Sequence, residues 1–212
     1  MNKLINTRQK KLLAVIYEHI ESTGFAPTFV EMKESLGISS SQSILNNLKK
    51  LKEAGFIRRK EGAARSIIIL PLGLKLLERP PLAPFIGTTS AGLPMEAIEQ
   101  VGEWRAVSPD IFEPKDDVFL LKISGDSMIN AGIDDGDVVM VKSHNDFVSG
   151  DIVLAQVGDE KTIKRFISQN KPPYLYLKPE NPEHKRLLFT DETQLVGKVI
   201  SVLKNNYWQK IK

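Results

Sequence analysis

The chain of 212 residues contains no cysteine. Disulfides and thiolate metal sites are therefore excluded, and the absence fits a reducing cytoplasm. No apolar run approaches the ~20 residues that a membrane span needs. The opening MNKLINTRQKKLL runs straight into an amphipathic pattern, with no apolar signal core and no small-residue cleavage site. Repeats of solenoid period and low-complexity tracts are absent too. Neither charge dominates, since the net charge is only +3. With 42% hydrophobic and 26% charged residues the composition is that of an ordinary soluble globular protein. The length allows one large domain or two small ones.

The charge that is present is unevenly placed. Residues 1–70 hold 12 Lys and Arg against 6 Asp and Glu, while the remainder holds 17 against 20. Chance produces such a surplus on a small domain, and so does a polyanion-binding module fused to something else. The local patterns favour the second reading. In TRQKKLLAVIYEHIEST, residues 7–23, Leu12, Leu13, Ile16 and Ile20 recur at helical spacing. Thr7 is a plausible cap for this helix and Gly24 its stop. A second helix starts at Thr28, which makes a capping box with Glu31, and closes at Gly37. A third takes Ser40 or Ser41 as its cap, Ile44, Leu48 and Leu51 as its core face, and Gly55 as its stop. FIRRKEGAARSIIIL then reads as two short strands around Glu61-Gly62. Three short helices followed by a hairpin predict a winged helix-turn-helix over 1–70.

PLGLKLLERPPLAP, residues 71–84, is proline-rich and has no stable period. Pro80 and Pro81 disfavour a helix there, and the stretch is expected to be a linker. Over 85–212 short β-prone runs follow one another: DVFLLKIS, GDVVMVKS, GDIVLAQV, EKTIKRFI, YLYLKP, RLLFT and LVGKVISVLK. Turn signals such as Asp135-Gly136 and Ser149-Gly150 separate them. The expected fold class is α+β in two domains, the second mostly β.

Ser127 stands in KISGDSMINAGIDDGD at the end of an apolar run, the setting of a nucleophile at a strand end. A serine hydroxyl needs a base. His19 belongs to the basic domain, whereas His144 and His184 sit in polar stretches that read as exposed loops. Order along the chain does not exclude either as part of a triad. The G-x-S-x-G elbow is missing, because Ile129 stands at its second glycine, and S-x-x-K fails at Asn130. The other base open to a serine is a lysine, whose pKa must fall from about 10.4 toward 7 or 8. Burial does that, because desolvation penalises the charged form. Strand alternation puts Lys164 on one face with Thr162 and Phe166, and Ile163 with Arg165 on the other. Lys164 is thus the lysine to test, although most strand lysines are solvated.

Several of these stretches together resemble the LexA-type repressors. They are GDSM with GIDDGDVVMV, then GDIVLAQVGDEKTIKRF, then LYLKPENPEH, preceded by TRQKKLLAVIYEHIESTGFAPTFVEM and the wing EGAARSIIIL. The resemblance covers nearly the whole chain, in order. It implies a winged helix-turn-helix domain joined to a LexA/signal-peptidase-like, self-cleaving peptidase domain of the S24 family, with no cofactor and no metal. In that family the serine of G-x-S-M is the nucleophile and the lysine of T-[VI]-K-R the general base, which carries onto Ser127 and Lys164. The family cuts itself at an Ala-Gly bond ahead of the catalytic core, here Ala91-Gly92 in TTSAGLP. Small side chains suit a scissile segment that must enter a narrow site, and glycine tolerates sharp bends. Ser90 stands where the family more often has an apolar residue. The resemblance further implies a cytoplasmic, nucleoid-associated repressor of the DNA-damage response. It implies a homodimer, paired through LVGKVISVLKNNYW, with RecA–single-stranded DNA filaments favouring the cut. A phage-type repressor with the same chemistry, a Ser-Lys protease acting in trans, and a binder with an inactive dyad are the rival readings.

For DNA, the third helix is the expected reader of the major groove. Gln42, Ser43, Asn46 and Asn47 face away from Ile44 and Leu48, and Gln and Asn pair with adenine. Ser40, Ser41, Lys49, Lys50 and Lys52 suit phosphates, as does Arg65 from the wing. Known members carry acidic and alanine residues in this helix, so their operators do not transfer.

Overall fold

The structure is a computed structural model that describes residues 5–88, 103–108, 117–143 and 146–211. They form two units: residues 5–84 with 103–108, and residues 85–88 with 117–143 and 146–211. Among the described residues no helix is long and apolar enough to cross a membrane.

The first unit begins with α1 (Thr7–Thr23), α2 (Phe29–Leu36) and α3 (Ser41–Glu53). The cap of α1 is Asn6, not Thr7. The Asn6 side chain accepts the Gln9 N–H and the Gln9 side chain accepts the Asn6 N–H, both at 2.9 Å, which satisfies two end donors at once. At α2 the expected capping box is present between Thr28 and Glu31. Ser40 caps α3 by accepting the Ser43 N–H at 3.2 Å. Strands β1 (Ile57–Arg59) and β2 (Ile67–Ile69) pair antiparallel as the wing. Leu12, Leu13, Ile16, Ile20, Ile44, Leu48 and Leu51 are buried together with Met32 and Tyr17.

The stretch expected to be a linker holds a helix, α4 (Pro71–Leu77). Pro71 sits in its first turn, where the missing N–H costs nothing. Leu74 joins the first unit's core and Leu76 and Leu77 pack against it. The chain beyond α4 stays on α1: the Tyr17 hydroxyl donates to the Pro80 carbonyl at 3.2 Å, and Arg79 lies over the Tyr17 ring. Strand β4 (Glu103–Ala106) also belongs to this unit. The Trp104 N–H donates to the Gly24 carbonyl at 2.6 Å, and the Trp104 ring packs against the helical core.

The second unit is mostly β, as expected. It contains the end of β3 (Leu82–Thr88), then β5 (Val118–Lys122), β6 (Val138–Ser143), β7 (Ile152–Val157), β8 (Glu160–Ser168), β9 (Leu175–Lys178), β10 (Leu187–Leu188), β11 (Thr193–Lys204) and β12 (Tyr207–Lys210). Their order is β10-β9-β8-β7-β11-β6-β5-β3, with β12 on β11. Only β3 and β5 run parallel among these pairs. The long β11 is shared: its first half pairs with β7 and its second with β6. At the handover a Cβ on Gly197 would stand 2.7 Å from the Lys142 carbonyl oxygen, so only glycine fits. Three features of this sheet matter for chemistry. β5 delivers the loop that carries Ser127. β8, held between β7 and β9, carries Lys164. The loop leaving β9 returns to the Ser127 turn.

Candidate active site

Ser127 lies after β5, just before a short 3-10 turn at Ile129–Ala131. The preceding turn is fixed from below. Gly125 adopts φ 100°, and its N–H donates to Asp135 Oδ1 at 2.7 Å. The Ile123 N–H donates to the Asp137 carbonyl at 2.7 Å, and Asp137 in turn accepts from Lys204 of β11. Met128, immediately after the serine, is buried at 2% exposure and anchors the segment. On the other side, the Glu180 N–H donates to the Ser127 carbonyl at 2.8 Å. The hydroxyl is thus presented by a turn held on three sides.

Lys164 comes from the middle of β8, opposite Val153 of β7. Its strand face is the expected one, shared with Phe166, which is buried with Val153, Ala155 and Leu177. Lys164 itself is only 7% exposed. Nζ stands 2.7 Å from Ser127 Oγ, 2.7 Å from Thr162 Oγ1 and 3.0 Å from the Ile163 carbonyl oxygen. Burial lowers the ammonium from its ordinary 10.5 to about 8, because the charged form loses hydration.

The three contacts have a chemical consequence. A charged Nζ fills all three with N–H donors. Once neutral, it keeps two N–H groups and gains a lone pair. The Ile163 carbonyl accepts one N–H and Thr162 Oγ1 the other, so the lone pair is left facing the Ser127 hydroxyl. This is the arrangement in which an amine takes a proton from a serine.

The histidines are placed elsewhere. His184 Nε2 lies 2.7 Å from Asp126 Oδ1, and His19 Nε2 lies 3.5 Å from Glu31 in the first unit. His144 lies outside the described residues, as do Ser90, Ala91 and Gly92. The sequence reading overlooked Thr162 as a partner of the base, although the alternation it used put Thr162 on the same face. It also overlooked Asp126, Glu180 and Asn181, whose contacts cross between loops far apart in sequence.

In the first unit, Gln42 and Asn46 are exposed on α3 and joined by a hydrogen bond of 3.0 Å. Asn47 donates to the Ser43 carbonyl at 2.8 Å. Ser41, Lys49, Lys50 and Lys52 are exposed, and Ser40 is exposed while serving as the cap. Leu45, which pattern reading passed over, is 41% exposed between Gln42 and Asn46 and offers an apolar contact. Arg65, expected at a phosphate, keeps 39% of its side chain exposed, while its guanidinium donates to the Ala26 carbonyl at 3.2 Å and to Glu31 Oε1 at 3.1 Å.

Comparison with known proteins agrees with this division. Residues 1–66 match the LexA DNA binding domain and residues 84–200 match the Peptidase S24-like family. The LexA repressor of Enterococcus faecalis is 35% identical over 206 residues, covering 96% of this chain and 97% of that protein. The LexA repressor of Halalkalibacterium halodurans is 36% identical, covering 96% and 99%. That of Carboxydothermus hydrogenoformans is 32% identical, covering 96% and 98%. A DNA-binding half, a serine-peptidase half and full-length similarity to such proteins lead to one assignment: the chain belongs to the LexA repressor family.

Proposed function

We propose that the protein represses genes of the DNA-damage (SOS) response by binding operator DNA as a homodimer, and that it inactivates itself by cutting the Ala91-Gly92 bond. The observation that carries the second half is the buried Lys164 Nζ at 2.7 Å from Ser127 Oγ. Neutral Lys164 takes the Ser127 proton while Oγ bonds to the Ala91 carbonyl carbon. Backbone N–H groups near Ser127, its own included, are the candidates to receive the developing oxyanion. The tetrahedral adduct collapses, the bond to the Gly92 nitrogen breaks, and Lys164 returns its proton to that leaving amine. Water then hydrolyses the acyl ester on Ser127, with Lys164 again as base. Because the attacked bond is in the same chain, a high effective concentration replaces a substrate pocket.

Protonation restrains the reaction. With a pKa of about 8, roughly one Lys164 in ten is neutral at pH 7. A partner that seats the cleavage segment over Ser127 excludes water and favours the neutral amine. The RecA–single-stranded DNA filament fills that role in this reading. On DNA, α3 enters the major groove with Gln42, Ser43, Asn46 and Asn47 toward bases, while Ser40, Ser41, Lys49, Lys50 and Lys52 meet phosphates. Arg65, held against α2 by Glu31 and 39% exposed, meets a phosphate from the wing. A two-fold dimer doubles the sequence read, and its operators put the protein on the cytoplasmic nucleoid.

The test is to incubate purified protein at pH 9 and weigh the fragments. Two pieces meeting at 91/92, absent in Ser127→Ala and Lys164→Ala, are expected. RecA filaments should speed the cut at pH 7. Fragments ending elsewhere, or equal cutting in Ser127→Ala, would overturn the reading, and cutting of an added protein would favour a protease acting in trans.

A further inference from the structure

The dyad accounts for the base and the nucleophile but not for how the Ser127 turn keeps its place. That turn carries a side chain outside the dyad, Asp126, whose carboxylate is exposed next to the nucleophile. It accepts from three groups. His184 Nε2 is 2.7 Å from Oδ1, Asn181 Nδ2 is 3.1 Å from Oδ2, and its own backbone amide also reaches it. Asn181 Nδ2 additionally lies 3.3 Å from the Asp126 carbonyl oxygen. The hydrogen bond from His184 is the largest of the causes that hold Asp126 below the usual carboxylate range.

We infer that His184, acting through Asp126, is a positioning residue that locks the nucleophile turn onto the loop after β9, so that Ser127 Oγ stays within reach of Lys164. This rests on the self-cleavage proposed above. The loop is itself ordered. The His184 N–H donates to the Asn181 carbonyl at 3.1 Å, and the Glu183 N–H to Asn181 Oδ1 at 3.1 Å. Asn181 is buried at 8% exposure, so the loop has a fixed root. The same loop also reaches the base: Glu180 Oε1 accepts from Arg165 Nε at 2.6 Å, and Arg165 is the β8 neighbour of Lys164. Backbone bonds run back as well, from Glu180 to the Ser127 carbonyl at 2.8 Å and from Asn130 to the Glu180 carbonyl at 3.2 Å. One short segment therefore grips the nucleophile side through Asp126 and the base side through Arg165. His184 closes the outer end of that grip.

The chemistry requires only an N–H at Nε2, which the charged imidazole and the Nε2–H tautomer of the neutral one possess.

The experiment is self-cleavage of full-length protein at pH 9, with Ser127→Ala as blank and thermal unfolding run on every variant. His184→Ala and Asp126→Ala should each slow the cut about tenfold, the effect expected when a reacting atom loses its alignment. The double variant should be no slower than Asp126→Ala alone, since that change already removes the His184 contact. His184→Gln, whose amide N–H replaces Nε2–H, should stay within about threefold of the unaltered protein. The pH midpoint should remain that of Lys164 in all of them. Three outcomes overturn the inference: unaltered rates in His184→Ala, multiplying losses in the double variant, or His184→Gln as slow as His184→Ala. Cutting that depends on Ser127 but ignores His184 would sink this inference alone. No Ser127-dependent cutting at all would sink the proposed function itself.

Discussion

Lys164 is where stability and chemistry pull against each other. An amine with a pKa near 8 is a base only in its neutral form, so the self-cleavage rate should climb about tenfold per pH unit below 8 and level off above. A profile that stays flat from pH 6 to 10 would remove Lys164 as the base. The same shift predicts a stability effect. Between pH 8 and 10.5 the unfolded chain holds a proton on this lysine that the folded chain has lost. Stability therefore rises with pH across that window, and the full penalty is present below it. Lys164→Met should stabilise the second unit at pH 7 by about 2 kcal/mol, less than the whole shift implies because the amine keeps some contact with water. The gain should fade as pH approaches 10.5, and melting curves at pH 7 and 10.5 measure both. Thr162→Val should slow cleavage about tenfold without moving the midpoint, because it frees one N–H and lets the amine turn away. At this scale the sequence named Ser127 and Lys164 through the family motif, strand alternation alone being weak, and their side chains stand 2.7 Å apart. The contacts of Asp126 and His184 were not, since no local pattern joins residues 58 positions apart.

Among the elements, α1, α2 and α3 were legible because their ends are written locally in caps and glycines. The error at Thr7 was one residue, and the capping box at Asn6 and Gln9 explains it. The helix α4 was not legible. Its own period is short, and Pro80 and Pro81 dominate the composition of the stretch. What makes it helical is tertiary: Leu74 enters a core supplied by other elements. Gly73 records how closely it is seated. A Cβ there would stand 2.6 Å from the Phe56 carbonyl oxygen and 2.9 Å from Ile69 Cγ2. Gly73→Ala should therefore destabilise the first unit by about 1–3 kcal/mol, the cost of overpacking, although alanine is the better helix former. Calorimetry of the full chain checks this, and an unchanged transition would mean that α4 is loosely held. On α3, Lys50→Ala should weaken operator binding on every sequence and flatten the salt dependence by about one unit of slope. Gln42→Ala should instead relax preference at one base pair at a cost of about 1–3 kcal/mol.

For the molecule as a whole, the order of parts along the chain differs from the order of packing. Strand β4 follows the proposed cut at Ala91-Gly92 in sequence, yet it is packed in the unit that carries the winged helix. Cutting that bond would leave the first fragment with α1 to α4, the wing and β3, whose end pairs with β5 of the second fragment. The second fragment would still have Trp104 bound to the Gly24 carbonyl and lying against the helical core. The place is tight, since a Cβ on Gly24 would meet Glu103 Cγ at 2.5 Å. Val107 is buried beside it, and its N–H donates to the Pro81 carbonyl at 2.9 Å. Breaking one peptide bond removes none of these contacts. The two pieces should therefore remain together until both β4 and the β3–β5 pairing let go, with release from DNA lagging behind cleavage. Trp104 is half-buried and contributes on the order of 2 kcal/mol to such an association, so Trp104→Ala should speed separation by about thirtyfold without altering the rate of bond cutting. Following fragment appearance by denaturing gel and separation by gel filtration distinguishes the two steps. Fragments that part as fast as they form in the unaltered protein would show that β4 does not hold them.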